Sequence, residues 1–437
     1  MRMLRLSAAA LLGASLLTLT ACGAPQAEPE ATSSETQHDE ADHDEHDDDH
    51  ADEEAAATEA AGQTPRVVVT YDGGLLVLDA LTLDTVADLP LAGFNRLNPA
   101  GDGRHVAVST TGGWAILDAG TWSQGHGDHN HYYTADPELH DVILEAGAPA
   151  HVVVHDGLTT FFDDATGQVT VVETSEWADM VEHSHLHPIR EYTTAEAHHG
   201  VGVAMEDGTL LVTRGNEEAR TGAMILDADD KEIVANDECT GVHGETAFES
   251  SDGEPIILLG CENGALVFHG DHAHTLAAPD EYGRIGNAFS TDGSDVVLGD
   301  YKNDPEAGIG LSLITLIDTA AEKIAVVDPF AGSGAQYTWR GLARGAAGEV
   351  LVFGTDGVLR VLDPATGSEV RSIPVTDGWV VPEEWQSAHP ALLELEGMAY
   401  VTDPATQSIH IVDYAGGKVW KSVEVGKAPN EITGVTG

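Results

Sequence analysis

From Arg66 to the end, the chain is a succession of short Val, Ile and Leu runs broken by Asp-Gly, Gly-Gly and Ala-Thr-Gly turns. No stretch carries an apolar stripe of helical period long enough to make a helix, so the pattern predicts an all-β domain. Hairpin units are legible at 67–79, 105–118 and 151–157, and others begin near Val201, Pro255, Asp295, Glu349 and Met398. Several follow one script: strand, Asp-Gly, strand ending in Asp, Ala-Thr-Gly, third strand. Residues 161–169 and 361–370 repeat it closely. Four-stranded units recurring every roughly 40 to 54 residues are the signature of propeller blades. Eight blades of about 47 residues fit the span 65–437, and seven of about 54 are the alternative. The expected fold is therefore a single β-propeller. Its first unit lacks an innermost strand, and residues 431–437 read as a lone strand that supplies it and removes the open edges.

The first residues differ from everything after them. Arg2 and Arg5 precede an apolar run from Leu6 to Leu19, too short for the roughly 20 residues of a membrane span and shaped like a secretory signal. Its ending, Leu19 to Cys22, resembles the bacterial lipobox, which implies removal of residues 1–21 and acylation of Cys22. The protein is expected to be exported and lipid-anchored, facing the periplasm or the extracellular side. Residues 22–64 are Ala, Glu, Asp, Thr and His with almost no large apolar side chain. They cannot bury enough surface to offset their ordering entropy and are expected to form a disordered tether ahead of the domain at 65–437. Cys239 and Cys261 lie on either side of a turn at 250–253. In an oxidising compartment they are expected to pair as a disulfide, with thiolate ligation near His243 as the alternative.

Charge narrows the partners. The chain has 74 acidic against 19 basic residues, which excludes nucleic acid and favours cations. A merely solvating acidic surface is the bland alternative.

Histidine is the unusual residue, with 22 copies. In the tether, His38, His43, His46 and His50 alternate with aspartates, a combination that binds zinc weakly when unscaffolded. In the domain one hexapeptide occurs twice, each copy after the third strand of its unit. Metal binding is expected there through His126, Asp128, His129 and His131, and through His269, Asp271, His272 and His274. All three histidines of a loop need not share one ion, and solvated polar turns are the alternative. A third set precedes innermost strands. His185 and His187, beside His183, are expected to meet His243 and His389 over the central channel with Glu245 alongside, in a tighter site. Ordinary channel-lining histidines are the competing reading. His198 and His199 are further candidates, while His105, His151, His155 and His410 read as structural. There is no Gly-x-Ser-x-Gly elbow, no phosphate loop and no His-Glu-x-x-His helix, so an enzyme is not expected.

The signal, the His/Asp arm, the duplicated hexapeptide and the repeats, including a YVTN-like segment at Tyr400 to Pro404, together resemble the zinc metallochaperones of bacterial zinc ABC-transport loci. That resemblance implies a propeller that binds zinc outside the cytoplasmic membrane and hands it to the solute-binding protein of the transporter, with Cys22 holding it nearby. The alternatives are a propeller lyase, hydrolase or oxidoreductase, and a calcium- or protein-binding surface scaffold. His and carboxylate ligands alone do not separate zinc from copper or nickel.

Overall fold

The computed structural model describes residues 57–127 and 129–437. The signal, Cys22, His38, His43, His46, His50 and Asp128 lie outside the described residues.

Strands such as Arg66–Tyr71 are apolar on consecutive positions, and Val67, Val68 and Val69 are all fully buried. A strand buried on both faces belongs to a sheet sandwiched between two others. The last strands of the units alternate instead: Lys418–Glu424 is exposed at every second residue, as an outer edge facing water should be. Among the described residues the chain forms eight four-stranded antiparallel sheets in succession, plus one three-stranded sheet. This is the propeller architecture that the turn script predicts.

The core is a ring of layers between sheets. Leu97, Val106 and Leu117 of the second sheet pack on Val68, Leu75 and Val77 of the first. Ile409 and Ile411 of the eighth pack on Val67 and Leu76 from the other side. The ring closes through Ile432–Val435, which pairs with Arg66–Tyr71 so that Val435 faces Arg66 and Ile432 faces Val69. The expected C-terminal closing strand is thus present. Just before it, the buried Glu431 carboxylate accepts hydrogen bonds from Arg96 at 3.0 Å and Arg340 at 2.7 Å, tying the closure to the second and seventh sheets.

Two expectations are corrected. The second sheet runs Leu97–Pro99, His105–Thr110, Gly113–Asp118 and then Glu138–Glu145. The first hexapeptide is therefore not the turn between third and fourth strands; it is the tip of an inserted hairpin, Thr121–His126 and His129–Thr134. Leu139 and Leu144 of Glu138–Glu145 pack against the cores on either side, and the polar, aromatic hairpin has no such side chains to offer. The tether boundary also moves. Thr58–Ala60, expected within it, is a strand that pairs antiparallel with His129–Thr134.

Cys239 and Cys261 form a disulfide, buried in the core between the fourth and fifth sheets, with Cα atoms 5.0 Å apart. Among the described residues no helix is long and apolar enough to cross a membrane.

Candidate metal centre

Three histidines from three successive sheets meet at the mouth of the central channel. His151 lies on Pro149–His155, the inner strand of the third sheet, and His243 opens His243–Glu249 in the fifth. Both strands slip register next to these residues, between Pro149 and Val152 and between His243 and Thr246. Such bulges re-aim side chains, here towards the channel. His199 comes from the lead-in to Gly202–Ala204 of the fourth sheet. Two glycines let these loops close: a Cβ at Gly200 would meet the Phe162 ring at 2.3 Å, and one at Gly244, where φ is +65°, would meet the Gly286 backbone at 2.7 Å.

The Nε2 atom of His199 is 3.3 Å from that of His151 and 3.0 Å from that of His243. Each opposite nitrogen is committed. His151 Nδ1 donates to Glu245 at 2.8 Å, His199 Nδ1 to Asp164 at 2.5 Å, and His243 Nδ1 to the Gly286 carbonyl at 2.5 Å. These acceptors fix the tautomers, because a carbonyl or carboxylate requires the proton on the nitrogen that faces it. Three Nε2 atoms therefore face one another, an arrangement that a cation bound between them satisfies. Nitrogens bound to a tetrahedral zinc ion lie about 3.3 Å apart, close to both of these separations. Carboxylate or carbonyl groups behind each ring are the usual outer support of histidine metal sites.

The electrostatics are asymmetric. Burial pushes the His243 imidazole down to about 3, helped by the neighbouring His151. His151 is also penalised by burial, but Glu245 and then Asp164 outweigh it and hold its value above the ordinary one. Glu245, itself opposed by burial, is held well below the carboxylate range by His151. His243 is thus a neutral ligand throughout the physiological range, and His151 is the imidazole of the cluster whose protonated form its surroundings favour. Behind His243, the buried Asp300 accepts the backbone N–H groups of Gly286 and Asn287 and the Asn287 side chain, at 2.5, 3.2 and 2.7 Å. That fixes the carbonyl on which His243 rests.

The cluster opens into a cavity of about 570 Å³, lined by residues from the second to the eighth sheets. Its far wall is Arg96, whose guanidinium stacks on Trp339 at 4.6 Å and lies 5.9 Å from the centre of the Trp385 ring. Three protein nitrogens leave a fourth zinc position open.

Of the residues singled out from the sequence as candidate ligands, His243, Glu245 and the further candidate His199 are in this cluster. His187 is exposed on the segment after the short helix Trp177–Glu182, near Asp179 at 3.6 Å, with the His185 ring 5.2 Å away. His389 is buried, its Nδ1 donating to the Ser387 carbonyl at 2.7 Å and its ring stacked on Trp379. This corrects the expected meeting of His185, His187 and His389 with His243: the lead-in segments of these sheets do not aim at one point. His198 is core, bonded to the Glu196 carbonyl and to Thr213.

The two hexapeptides diverge. His126, His129 and His131 bring their ring nitrogens together at the hairpin tip, because residues two apart on a strand share a face; all three can serve one ion. In the fifth sheet His269 and His272 also face one another across strands, but His269 leans to Glu254 at 3.8 Å and His272 to Asp271 at 3.3 Å. His274 Nε2 is buried there. The sequence reading missed His151, taken as structural, and Asp164. The signal for Asp164 was present: in the repeated turn, Asp163 caps the backbone as Asp363 and Asp403 do, and the next residue is Asp164 where its siblings have Pro364 and Pro404.

No family model matches the chain. Over 378 residues, 83% of each protein, it is 24% identical to the zinc chaperone AztD of Citrobacter koseri. Two solved structures, the crystal structure of Citrobacter koseri AztD and apo AztD from the same organism, superpose with TM-scores of 0.72 and 0.70. They are 22% and 21% identical to this chain, and each match covers 86% of it and 99% of the solved chain. The fold is theirs, and the resemblance read from the sequence leads to the same group of proteins.

Proposed function

We propose that this protein is an extracytoplasmic zinc metallochaperone that holds the ion between His151, His199 and His243 and hands it to the solute-binding protein of a zinc ABC transporter. The observation that carries the reading is the convergence of three Nε2 lone pairs whose tautomers are fixed from behind. The relative described as a zinc chaperone supports it. Transfer proceeds by ligand exchange: a donor from the partner enters the open fourth position through the cavity, and the imidazoles release in turn. Turnover of an organic substrate has no part in it. The segment between Cys22 and the strand Thr58–Ala60 gathers zinc through His38, His43, His46 and His50, and acylated Cys22 keeps the protein at the membrane.

The test is titration of the full-length protein against a chelator of known zinc affinity. Binding tighter than micromolar in the wild type, weakened at least about 100-fold in His199→Ala, is expected. No site tighter than micromolar would overturn the proposal.

A further inference from the structure

Two residues on the cavity wall opposite the imidazoles hold donors that no protein group accepts. Arg96 leads into Leu97–Pro99, and its guanidinium is fixed in place: Nε donates to Glu431 at 3.0 Å, the plane stacks on Trp339, and Trp385 closes beside it, braced edge-on by Phe94 at 5.2 Å. Among the described residues its two terminal amino groups have no acceptor. Asn98 lies two residues further along the extended chain, on the same side; it lines the same cavity, and its buried Nδ2 is unpartnered as well. Donors left over on a cation are notable in a chain with 74 acidic and 19 basic residues. The nearby carboxylate is shared, since Glu431 also takes Arg340; two guanidiniums and one carboxylate leave one positive charge. Across the cavity, the Glu245 and Asp164 carboxylates stand behind two of the imidazoles and offset the double charge of a zinc ion held there. The loaded cavity therefore keeps the surplus charge of the Arg96 wall.

We propose that Arg96 and Asn98 form a carboxylate subsite, and that the ligand entering the open fourth position on the zinc is a carboxylate held by them. This rests on the reading of the channel as a zinc site and names the class of donor that exchanges with it. A fixed guanidinium plane matches a carboxylate through two parallel hydrogen bonds, and carboxylate oxygen is an ordinary zinc ligand. Burial and, more weakly, the Arg96 charge work against a proton on His151, so Arg96 is within electrostatic reach of the cluster and repels an ion there until an anion comes between them. Zinc and carboxylate consequently favour each other's binding. A free dicarboxylate and an acidic side chain of the partner share this chemistry.

The test is titration calorimetry of succinate, and separately of an end-blocked triglutamate peptide, into the full-length protein, zinc-free and zinc-loaded, in wild type, Arg96→Gln, Asn98→Ala and His199→Ala. Loaded wild type is expected to bind at least one probe about tenfold more tightly than the zinc-free protein does. Preference for succinate assigns the subsite to a free dicarboxylate, and preference for the peptide to an acidic segment of the partner. Arg96→Gln should weaken the binding at least about tenfold and Asn98→Ala about threefold. Zinc affinity without carboxylate, read by chelator competition, should rise in Arg96→Gln because a repelling charge is gone, whereas a misfolded variant would lose both. Asn98→Ala leaves the Glu431 bonds untouched and gives the second reading. No binding of either probe to loaded wild type, binding equal to wild type in both wall variants, or a zinc-dependent gain that survives His199→Ala would overturn the proposal. If the channel takes up no zinc, the zinc reading fails instead, and binding of the probes to the zinc-free protein, dependent on Arg96 or not, still decides the subsite.

Discussion

His199 and Asp164 are joined across the seam between the fourth and third sheets, Nδ1 to carboxylate at 2.5 Å. Asp164 also accepts the Gly200 N–H at 3.2 Å, so one side chain positions both the ligand and its loop. Asp164→Ala should leave the turn intact, because Asp163 makes the turn bonds. Zinc affinity should fall about 10- to 100-fold with little change in melting temperature, measured by chelator competition and calorimetry. An unchanged affinity would remove Asp164 from the site.

The proton on His151 sets the pH dependence. A value raised above 6.5 means that the ring is mostly protonated at pH 6.5 and loses its proton as pH rises through the raised value. Zinc must displace that proton, so affinity falls as pH drops through the same window, which starts above the ordinary histidine range. His243, held near 3, adds nothing to this window. Titration calorimetry in buffers of different ionisation enthalpy should show fewer protons released by Glu245→Gln than by wild type at pH 6.5, since Gln removes the charge that holds the proton. Equal release would contradict the assignment.

The Cys239–Cys261 bridge closes a loop that contains His243 and its bulge. Replacing both cysteines with Ala should cost about 3 kcal/mol of stability on the chain-entropy estimate for a loop of this length. Zinc should recover part of the loss, because the ion also ties the fourth sheet to the fifth. Chemical denaturation with and without zinc measures both effects.

Arg340 and Glu431 are a buried pair, with side chains 2% and 6% exposed. Neutralising one partner of such a pair strands the other charge, at about 3–5 kcal/mol. Glu431→Gln should therefore lower the thermal midpoint markedly. Lys231→Gln, which breaks an exposed pair with Asp229, should change stability by less than about 1 kcal/mol.

The propeller was legible because its information is local: short apolar runs, turn residues and the unit spacing all sit within one stretch of chain. So was the closing strand, since an unpaired first unit and a leftover last strand imply each other. The metal cluster was not legible in the same way. His151 stands in an ordinary Val-rich strand, and only a bulge and contacts from two other sheets make it a ligand. The dense segments 185–187 and 269–274 drew attention through composition, yet composition does not say where the strands around them point. The strand Thr58–Ala60 was hidden for the opposite reason, since its neighbours have no pattern and three paired residues suffice to place it.

The sheet that begins the domain is finished by a strand from the domain's other end, Ile432–Val435. Until Ile432–Val435 is available, Arg66–Tyr71 presents a bare edge with Val67, Val68 and Val69 along it, which is a template for pairing with another chain. Every incomplete copy carries that hazard, whether still emerging or cut short. Gly437 is built into the same wall: its N–H donates to the Gly103 carbonyl, its own oxygen accepts from Gln63, and Thr121 leaves no space for a side chain at this position. Replacing Gly437 with a larger residue would thus crowd a packed joint.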